Sequence, residues 1–308
     1  MRNLLPRGLP GVLHGRGGDA KAASDDMWVR CGKCREVVYR REWESNAKVC
    51  PKCGHHERLS RQERLDLLLD PGSFEELDAG LRAQDPLGFA PEGQVAYRDK
   101  LESEERSTSA NEASAYGRGE IEGLPLVLAL LDLEFFAGSL SATSGEKLTR
   151  AFELALRERR PMVTCSASGG ARQQEGMVAL MQMAKIVAAV KALSRQGVPY
   201  VSILTNPVLG GTTASYPVLA DVIIAEPGAI VGFAGPRLVE LATGEKLPPG
   251  TDTSEFQLQH GMVDLVVQRR DLRGTVGRVL RLLYDAARRS ADGMEPAALR
   301  ELAEVAAG

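Results

Sequence analysis

Histidine, aromatic residues and unbroken apolar runs are all scarce in this chain of 308 residues. The four histidines are His14, His55, His56 and His260, and none lies in a glycine-rich loop, so a histidine general base is not expected. Aromatic residues make up 5% of the chain, thin material for the stacking platform of a single-strand nucleic-acid binder. With 38 basic and 41 acidic residues the formal charge is −3, which leaves no positive excess for nonspecific binding to phosphate. The longest clean apolar run, Leu124–Leu131, contains Pro125 and is followed by Asp132 and Glu134. That falls far short of the ~20 residues of a membrane span, so no membrane partner is expected. Residues 1–26 carry Arg2, Arg7 and Arg16, but Pro6, Pro10 and repeated glycines break any signal-peptide core. They read as a flexible tail of a cytoplasmic protein. The chain contains no P-loop, no GxGxxG fingerprint and no GxSxG elbow, which argues against nucleotide hydrolysis and a nucleophilic serine.

Cysteine is sparse too, but its placement is informative. Four of five cysteines form two pairs, Cys31-Gly-Lys-Cys34 and Cys50-Pro-Lys-Cys53, fifteen residues apart. This spacing is that of a zinc ribbon, in which two knuckles aim four thiolates at one Zn²⁺. A shell closed by four cysteines leaves no position for substrate, so the metal is expected to be structural. His55 and His56 follow the second knuckle, but the shell is complete without them. A ribbon over 27–57 has little core of its own, and metal binding would supply its folding free energy. The module is locally basic, through Lys33, Arg35, Arg40, Arg41, Lys48 and Lys52. A solvated face and a polyphosphate contact both fit this pattern; sequence-specific reading of nucleic acid does not fit the chain's acidic balance. Cys165, alone in an apolar stretch, reads as a core residue.

Residues 58–115 read as a helical linker region. Ser60-Arg-Gln-Glu63 is a capping box before a helix, and Asp70-Pro71-Gly72 stops that helix. The segment Leu101–Ser114 is polar and reads as surface. From Tyr116 the texture changes. Apolar runs at Leu124–Phe136, Pro161–Ala167, Tyr200–Asn206, Asp221–Ala225, Ala229–Phe233 and Met262–Val267 are nearly continuous, as expected of strands covered on both faces. Helical spacings alternate with them, including a long helix at about 173–195 and one led by a capping box at Thr143–Glu146. The pattern predicts an α/β domain of repeated β-β-α units over 116–290, followed by a tail at 291–308.

Three glycine-rich junctions stand at strand ends in this domain: Ser166–Arg172 with Gly169 and Gly170, Gly210-Gly211-Thr212-Thr213, and Gly228–Gly235. Where a strand hands over to a helix, backbone N–H groups lack partners and the helix dipole adds positive character. Such places suit an anion or a developing oxyanion. Glu175 is the one carboxylate beside these loops, and its position in a first helical turn suits an electrostatic role better than that of a base. The site therefore reads as one of backbone donors, suited to enolate stabilisation at a thioester with the base supplied from elsewhere.

These residues carry a resemblance. The ribbon Trp28-Val-Arg-Cys31…Cys50-Pro-Lys-Cys53-Gly-His-His56 resembles the start of the beta subunits of bacterial acetyl-CoA carboxylase carboxyltransferase. So do Cys165-Ser-Ala-Ser-Gly-Gly-Ala-Arg172, Asn206-Pro-Val-Leu-Gly-Gly211, Gly232-Phe-Ala-Gly-Pro-Arg237 and Glu245-Lys-Leu-Pro-Pro-Gly250. The match is collinear from about Trp28 to Leu283. It implies a crotonase-like fold, a spiral of β-β-α units. It also implies an alpha-subunit partner in an α2β2 heterotetramer, working with a biotin carboxyl carrier protein and biotin carboxylase. The implied reaction moves the carboxyl group of carboxybiotin onto acetyl-CoA to give malonyl-CoA, the first committed step of fatty acid synthesis. By resemblance, Gly210 and Gly211 form an oxyanion hole. Gly169 and Gly170 line the thioester or biotin side, and Ala171, Arg172, Gly232, Phe233, Ala234 and Gly235 are implied to bind substrate with them. Arg237 either pairs with a CoA phosphate or braces its loop. Three other readings stand beside this one: a zinc-ribbon nucleic-acid-binding module, a carboxyltransferase subunit for another acyl-CoA, and a self-contained crotonase-type hydratase or isomerase, which would demand placed carboxylates where Glu175 is the one candidate. Where the family typically has Met-Gly-Gly-Ser-Met-Gly, this chain has Phe136-Ala137-Gly138-Ser139-Leu140-Ser141, and the added side chains are expected either to narrow a channel or to shift the acyl preference.

Overall fold

A computed structural model describes residues 27–293, without the side chains of residues 236–238 and 285–293. The tail expected at 1–26 lies outside the described residues, as do residues 294–308 of the one expected at 291–308. The chain divides into two compact units, Met1–Glu57 and Arg58–Gly308.

In the first unit, β1 (Trp28–Arg30) and β2 (Val37–Tyr39) pair antiparallel, and α1 (Arg40–Ser45) follows directly. Its core is small: Val38, Trp43, Cys31 and Cys50 are buried together. So slight an apolar cluster cannot offset the chain entropy of some thirty residues by itself, which makes a cross-link through the cysteines necessary.

The second unit begins with α2 (Arg61–Leu68). Its capping box forms as expected: the Ser60 N–H donates to Glu63 Oε2 at 2.8 Å, and the Glu63 N–H donates to Ser60 Oγ at 3.3 Å. Then come β3 (Glu75–Leu77), α3 (Tyr97–Thr108), β4 (Ser114–Ile121), β5 (Leu124–Leu131), α4 (Ala142–Glu158), β6 (Met162–Ser168) and α5 (Gly176–Arg195). They are followed by β7 (Tyr200–Leu209), the single turn α6 (Gly210–Thr213), β8 (Val222–Ala225), β9 (Val231–Gly232), α7 (Pro236–Thr243), α8 (Ser254–Gln259), β10 (Leu265–Val266) and α9 (Arg269–Gly293). Strand order across the sheet is β10-β8-β7-β6-β5-β4-β3, with β9 continuing beside the end of β7. From β5 to β10 every pairing is parallel, whereas β3, β4 and β5 pair antiparallel. Residues 58–115 are thus no separate linker: they belong to the same compact unit, supply its edge strand β3 and cover one face with α2.

The continuous apolar runs follow from burial on both faces. Leu126, Leu128 and Leu130 of β5 point into a core with α2 and with Leu272, Val276 and Leu280 of α9. Val127 and Ala129 point the other way, onto Phe152 of α4 and Ile186 of α5. Glu226, buried just past β8, receives Arg64 of α2 and Arg269 of α9, the latter at 2.7 and 3.0 Å, and ties both helices to the sheet. Cys165 lies in the same core, and burial pushes its thiol up to about 11, the state of an inert structural cysteine.

Two helix starts differ from expectation. The cap of α4 is Ser141, whose Oγ accepts the Ser144 N–H at 2.9 Å; Glu146 turns outward to Arg150 and Lys185. The long helix begins with a separate 3₁₀ turn, Gln173–Glu175. The segment Gln173–Arg195 is long and apolar enough, by length and composition, to cross a membrane. Counting clean apolar runs misses it because Gln182, Lys185 and Lys191 interrupt it. In the fold its inner side, with Ala179, Ile186, Val190 and Leu193, is buried, while Met177, Leu180 and Met181 stand exposed.

Candidate functional site

The four ribbon sulfurs lie within 4.8 Å of one another, with Cys31 to Cys53 and Cys34 to Cys50 each at 3.8 Å. A tetrahedron with zinc–sulfur bonds of ~2.3 Å has edges of about 3.8 Å, so the cage fits that ion. Each knuckle is closed by a turn, Arg35 N–H to Cys31 O at 3.1 Å and Gly54 N–H to Cys50 O at 2.9 Å, and Gly54 takes the left-handed φ of +69° that this requires. The electrostatics point the same way. Burial opposes ionisation of Cys31, yet the N–H groups of Cys34 and Lys33 bring its thiol down to about 7. The Glu36 N–H favours the Cys34 thiolate, but burial and three neighbouring sulfurs push that thiol up to about 12. Four thiolates this close need a cation among them, and a dication supplies it. His56 sits in an isolated bridge with Val49, and the cluster consists of the cysteines alone.

In the large unit, β6 and β7 are parallel neighbours, so their loops leave the same edge of the sheet. The first two glycine loops meet there. A Cβ on Gly210 would stand 3.3 Å from Gly170 Cα, and one on Gly211 would stand 3.7 Å from Ala171 N. Gly170 and Gly210 have φ of +112° and +60°, left-handed backbone that favours glycine. Ser168, buried at the end of β6, knits the junction. Its Oγ donates to Gly138 O at 2.6 Å, accepts the Gly170 N–H at 3.1 Å, and lies 2.8 Å from Thr212 Oγ1. Thr213 Oγ1 donates to Val208 O at 2.8 Å, so both threonines after the glycines anchor their turn. The third loop joins through Phe233 O, which accepts the Gly210 N–H at 2.8 Å.

Accounting for each N–H corrects the expectation that both Gly210 and Gly211 are free donors. Gly210 spends its N–H on Phe233, Gly169 on Ala137 O at 2.9 Å, and Gly170 on Ser168. The N–H groups of Ala171 and Gly211 have no acceptor among the described residues, and both residues are partly exposed. Two donors without an acceptor thus stand on apposed loops, one of them in the first turn of a helix.

Arg172, expected to line substrate, does not reach it: its side chain is fully buried and pairs with Glu112. Glu112 itself falls in the stretch read as surface. Glu175 is also buried; it accepts the Tyr97 hydroxyl at 2.8 Å and the Ala142 N–H at 2.6 Å, at the start of α4. Burial raises its carboxyl above the usual range, with those two bonds opposing. A carboxylate so engaged braces the fold and is not a base. Phe136, expected to narrow a channel, packs its ring edge-on against Tyr97 and 5.0 Å from the Arg172 guanidinium. Of the third loop, Phe233 is 73% exposed, Ala234 and Gly235 are half-buried, and Gly232 faces Asp252; the Arg237 side chain lies outside the described residues. Sequence reasoning did not single out Tyr97 or Glu112, which carry no local signal; Ser168 and Thr212 each adjoin a glycine pair and are legible there.

Known proteins resemble this chain along most of its length. Residues 55–264 match the family described as "Carboxyl transferase domain", and residues 28–53 match the "Acetyl-CoA carboxylase zinc finger domain". An acetyl-coenzyme A carboxylase carboxyl transferase subunit beta from Chloroflexus aurantiacus is 47% identical over 86% of this chain and 86% of its own length. Another, from Desulforamulus reducens, is 44% identical over 87% of this chain and 91% of its own. Among solved structures, transcarboxylase 12S with hydrolysed methylmalonyl-coenzyme A bound superimposes with a TM-score of 0.59 at 27% identity. That match spans 78% of this chain and 42% of the longer transcarboxylase chain. A Pseudomonas malonate decarboxylase hetero-tetramer in complex with malonate gives 0.59 at 26% identity, over 79% of this chain and 95% of that one. A four-cysteine ribbon, a crotonase-like sheet and this extent of identity lead to one conclusion: the chain belongs to the family of acetyl-CoA carboxylase carboxyl transferase beta subunits.

Proposed function

We propose that this chain contributes the beta half of a carboxyltransferase site, where a carboxyl group passes from carboxybiotin on a biotin carboxyl carrier protein to acetyl-CoA, giving malonyl-CoA. One observation carries the reading: the N–H groups of Gly211 and Ala171 are unpaired on two loops locked face to face. Deprotonating a thioester methyl places negative charge on the carbonyl oxygen. Two preset donors hold that oxygen without reorganising, and the loss of one such donor costs roughly 2.7–4 kcal/mol. Carboxybiotin supplies the carboxyl group and, once it is released, the basic ureido nitrogen. The chain's own residues then need only bind, orient and stabilise charge, which accords with a buried, engaged Glu175.

The partner is an alpha subunit, in an α2β2 assembly that also works with biotin carboxylase. Met177 and Met181 on the outer side of α5 are 67% and 64% exposed, just after the 169–172 loop, and an apolar face beside a half-built site calls for a covering surface. A ribbon of free thiols in metal geometry and an unpaired Cys165 suit a reducing compartment, the cytoplasm. The test is the reverse reaction, malonyl-CoA with biocytin, run with this chain alone and with its alpha partner. Acetyl-CoA forms only in the mixture; no acetyl-CoA from the reconstituted pair would overturn the reading.

A further inference from the structure

Arg172 closes the SerGlyGlyAlaArg-type loop end but has nothing left to offer a ligand. A guanidinium has five N–H donors. Here Nε donates to Ser139 Oγ at 2.9 Å, and Nη1 donates to Glu112 Oε2 at 3.1 Å and Tyr97 OH at 3.3 Å. Nη2 donates to Glu112 Oε1 at 2.6 Å and to Ser139 O at 2.9 Å. Its flat face lies 5.0 Å from the Phe136 ring centroid and 5.5 Å from that of Phe135. Both partners of the ion pair are fully buried.

What this arginine grips is an unfavourable piece of backbone. Phe136, Ala137 and Gly138 are consecutively left-handed, with φ of 45°, 51° and 64°. For two L residues in a row that conformation is strained and persists only where surroundings over-determine it. The strained turn is in turn the template for the anion site. Ala137 O fixes the Gly169 N–H, Gly138 O fixes Ser168, the Leu140 N–H donates to Gly170 O at 2.8 Å, and the Arg172 N–H donates to Leu140 O at 2.9 Å. Between those straps sits Ser139, held by the arginine side chain at both its hydroxyl and its carbonyl.

We infer that the buried Arg172–Glu112 pair is a positioning device: it holds the left-handed turn 136–138, and through it the Gly169–Ala171 backbone, so that the Ala171 donor faces the developing oxyanion without either side chain touching substrate. This inference rests on the proposed carboxyl-transfer reading of the same site.

The experiment uses Arg172→Lys in the complete complex with the alpha partner, with malonyl-CoA and biocytin as probes. Lysine keeps the charge and loses the fork. Turnover falls about tenfold or more, as expected of a misplaced reacting group, while the KM for malonyl-CoA, zinc content and subunit assembly stay within twofold of wild type. Amide exchange speeds up at Gly169 and Gly170 but not along β6. Ser139→Ala leaves no buried charge unpaired and produces a smaller fall in turnover with the same constant KM, which keeps the test open should Arg172→Lys fail to fold. A raised KM with unchanged turnover makes Arg172 a ligand contact and overturns the inference. So does wild-type turnover with wild-type exchange. If the wild-type complex itself does not turn over malonyl-CoA, the carboxyl-transfer reading fails, and exchange at Gly169 and Gly170 still decides the positioning role.

Discussion

The ribbon and the large unit hold their functional groups in opposite ways. In the ribbon the working atoms are side-chain sulfurs, four within 4.8 Å, and the backbone around them is a support of two knuckles. In the large unit the proposed working atoms are main-chain nitrogens, of Ala171 and Gly211, and side chains such as Ser168, Thr212 and Arg172 are the support. A site of the first kind is broken by removing a ligand. One of the second kind tolerates changes of side chain wherever the backbone keeps its course, and is broken by adding atoms where two backbones approach.

The largest effect expected from that contrast is in the ribbon. Cys50→Ser, or treatment with a strong chelator, unfolds residues 27–57, since zinc contributes on the order of 10–16 kcal/mol to such modules. Zinc analysis with amide exchange checks it, and exchange in the Arg58–Gly308 unit stays slow. A ribbon that remained protected without metal would end the contrast. Next comes Gly211→Val. A Cβ there already stands 2.9 Å from Met183 Sδ and 3.5 Å from Ala171 Cβ, so the branched side chain pushes apart the two loops that carry the unpaired N–H groups. Turnover drops at least a hundredfold, about 2.7 kcal/mol in the barrier. Zinc content is unchanged, thermal unfolding falls as Met183 gives way, and retained turnover would remove the loop from the mechanism. The smallest effect is Ala137→Gly. Relief of a left-handed alanine, at ~1–2 kcal/mol, is partly cancelled by the extra entropy of an unfolded glycine. Thermal unfolding therefore rises by a few degrees at most, and a fall would show that the turn is not strained.

Legibility in the sequence divides along the same line. The CxxC pairs, the capping box at Ser60 and the doubly apolar strands β5, β6, β7 and β8 are local patterns that the structure forms at the expected runs, whereas the runs at 229–233 and 262–267 give only two-residue strands. Glu112 was not legible, because a carboxylate in a polar stretch looks solvated until the fold brings Arg172 to it across sixty positions. The edge strand β3 escaped notice for a related reason: an edge needs little apolar character, so Glu75–Leu77 carries no strand pattern.

By itself, then, the order of residues determined the metal cage, the α/β alternation and the glycine junctions, because each depends on spacings of a few residues and on the chemistry of one side-chain type. Which amides stay free was decided only in three dimensions. Gly210 and Gly211 are adjacent and chemically identical, yet one N–H meets Phe233 O and the other meets no acceptor among the described residues. Hydrogen-bond satisfaction is settled by whatever oxygen the tertiary structure places within reach, and no local pattern encodes that.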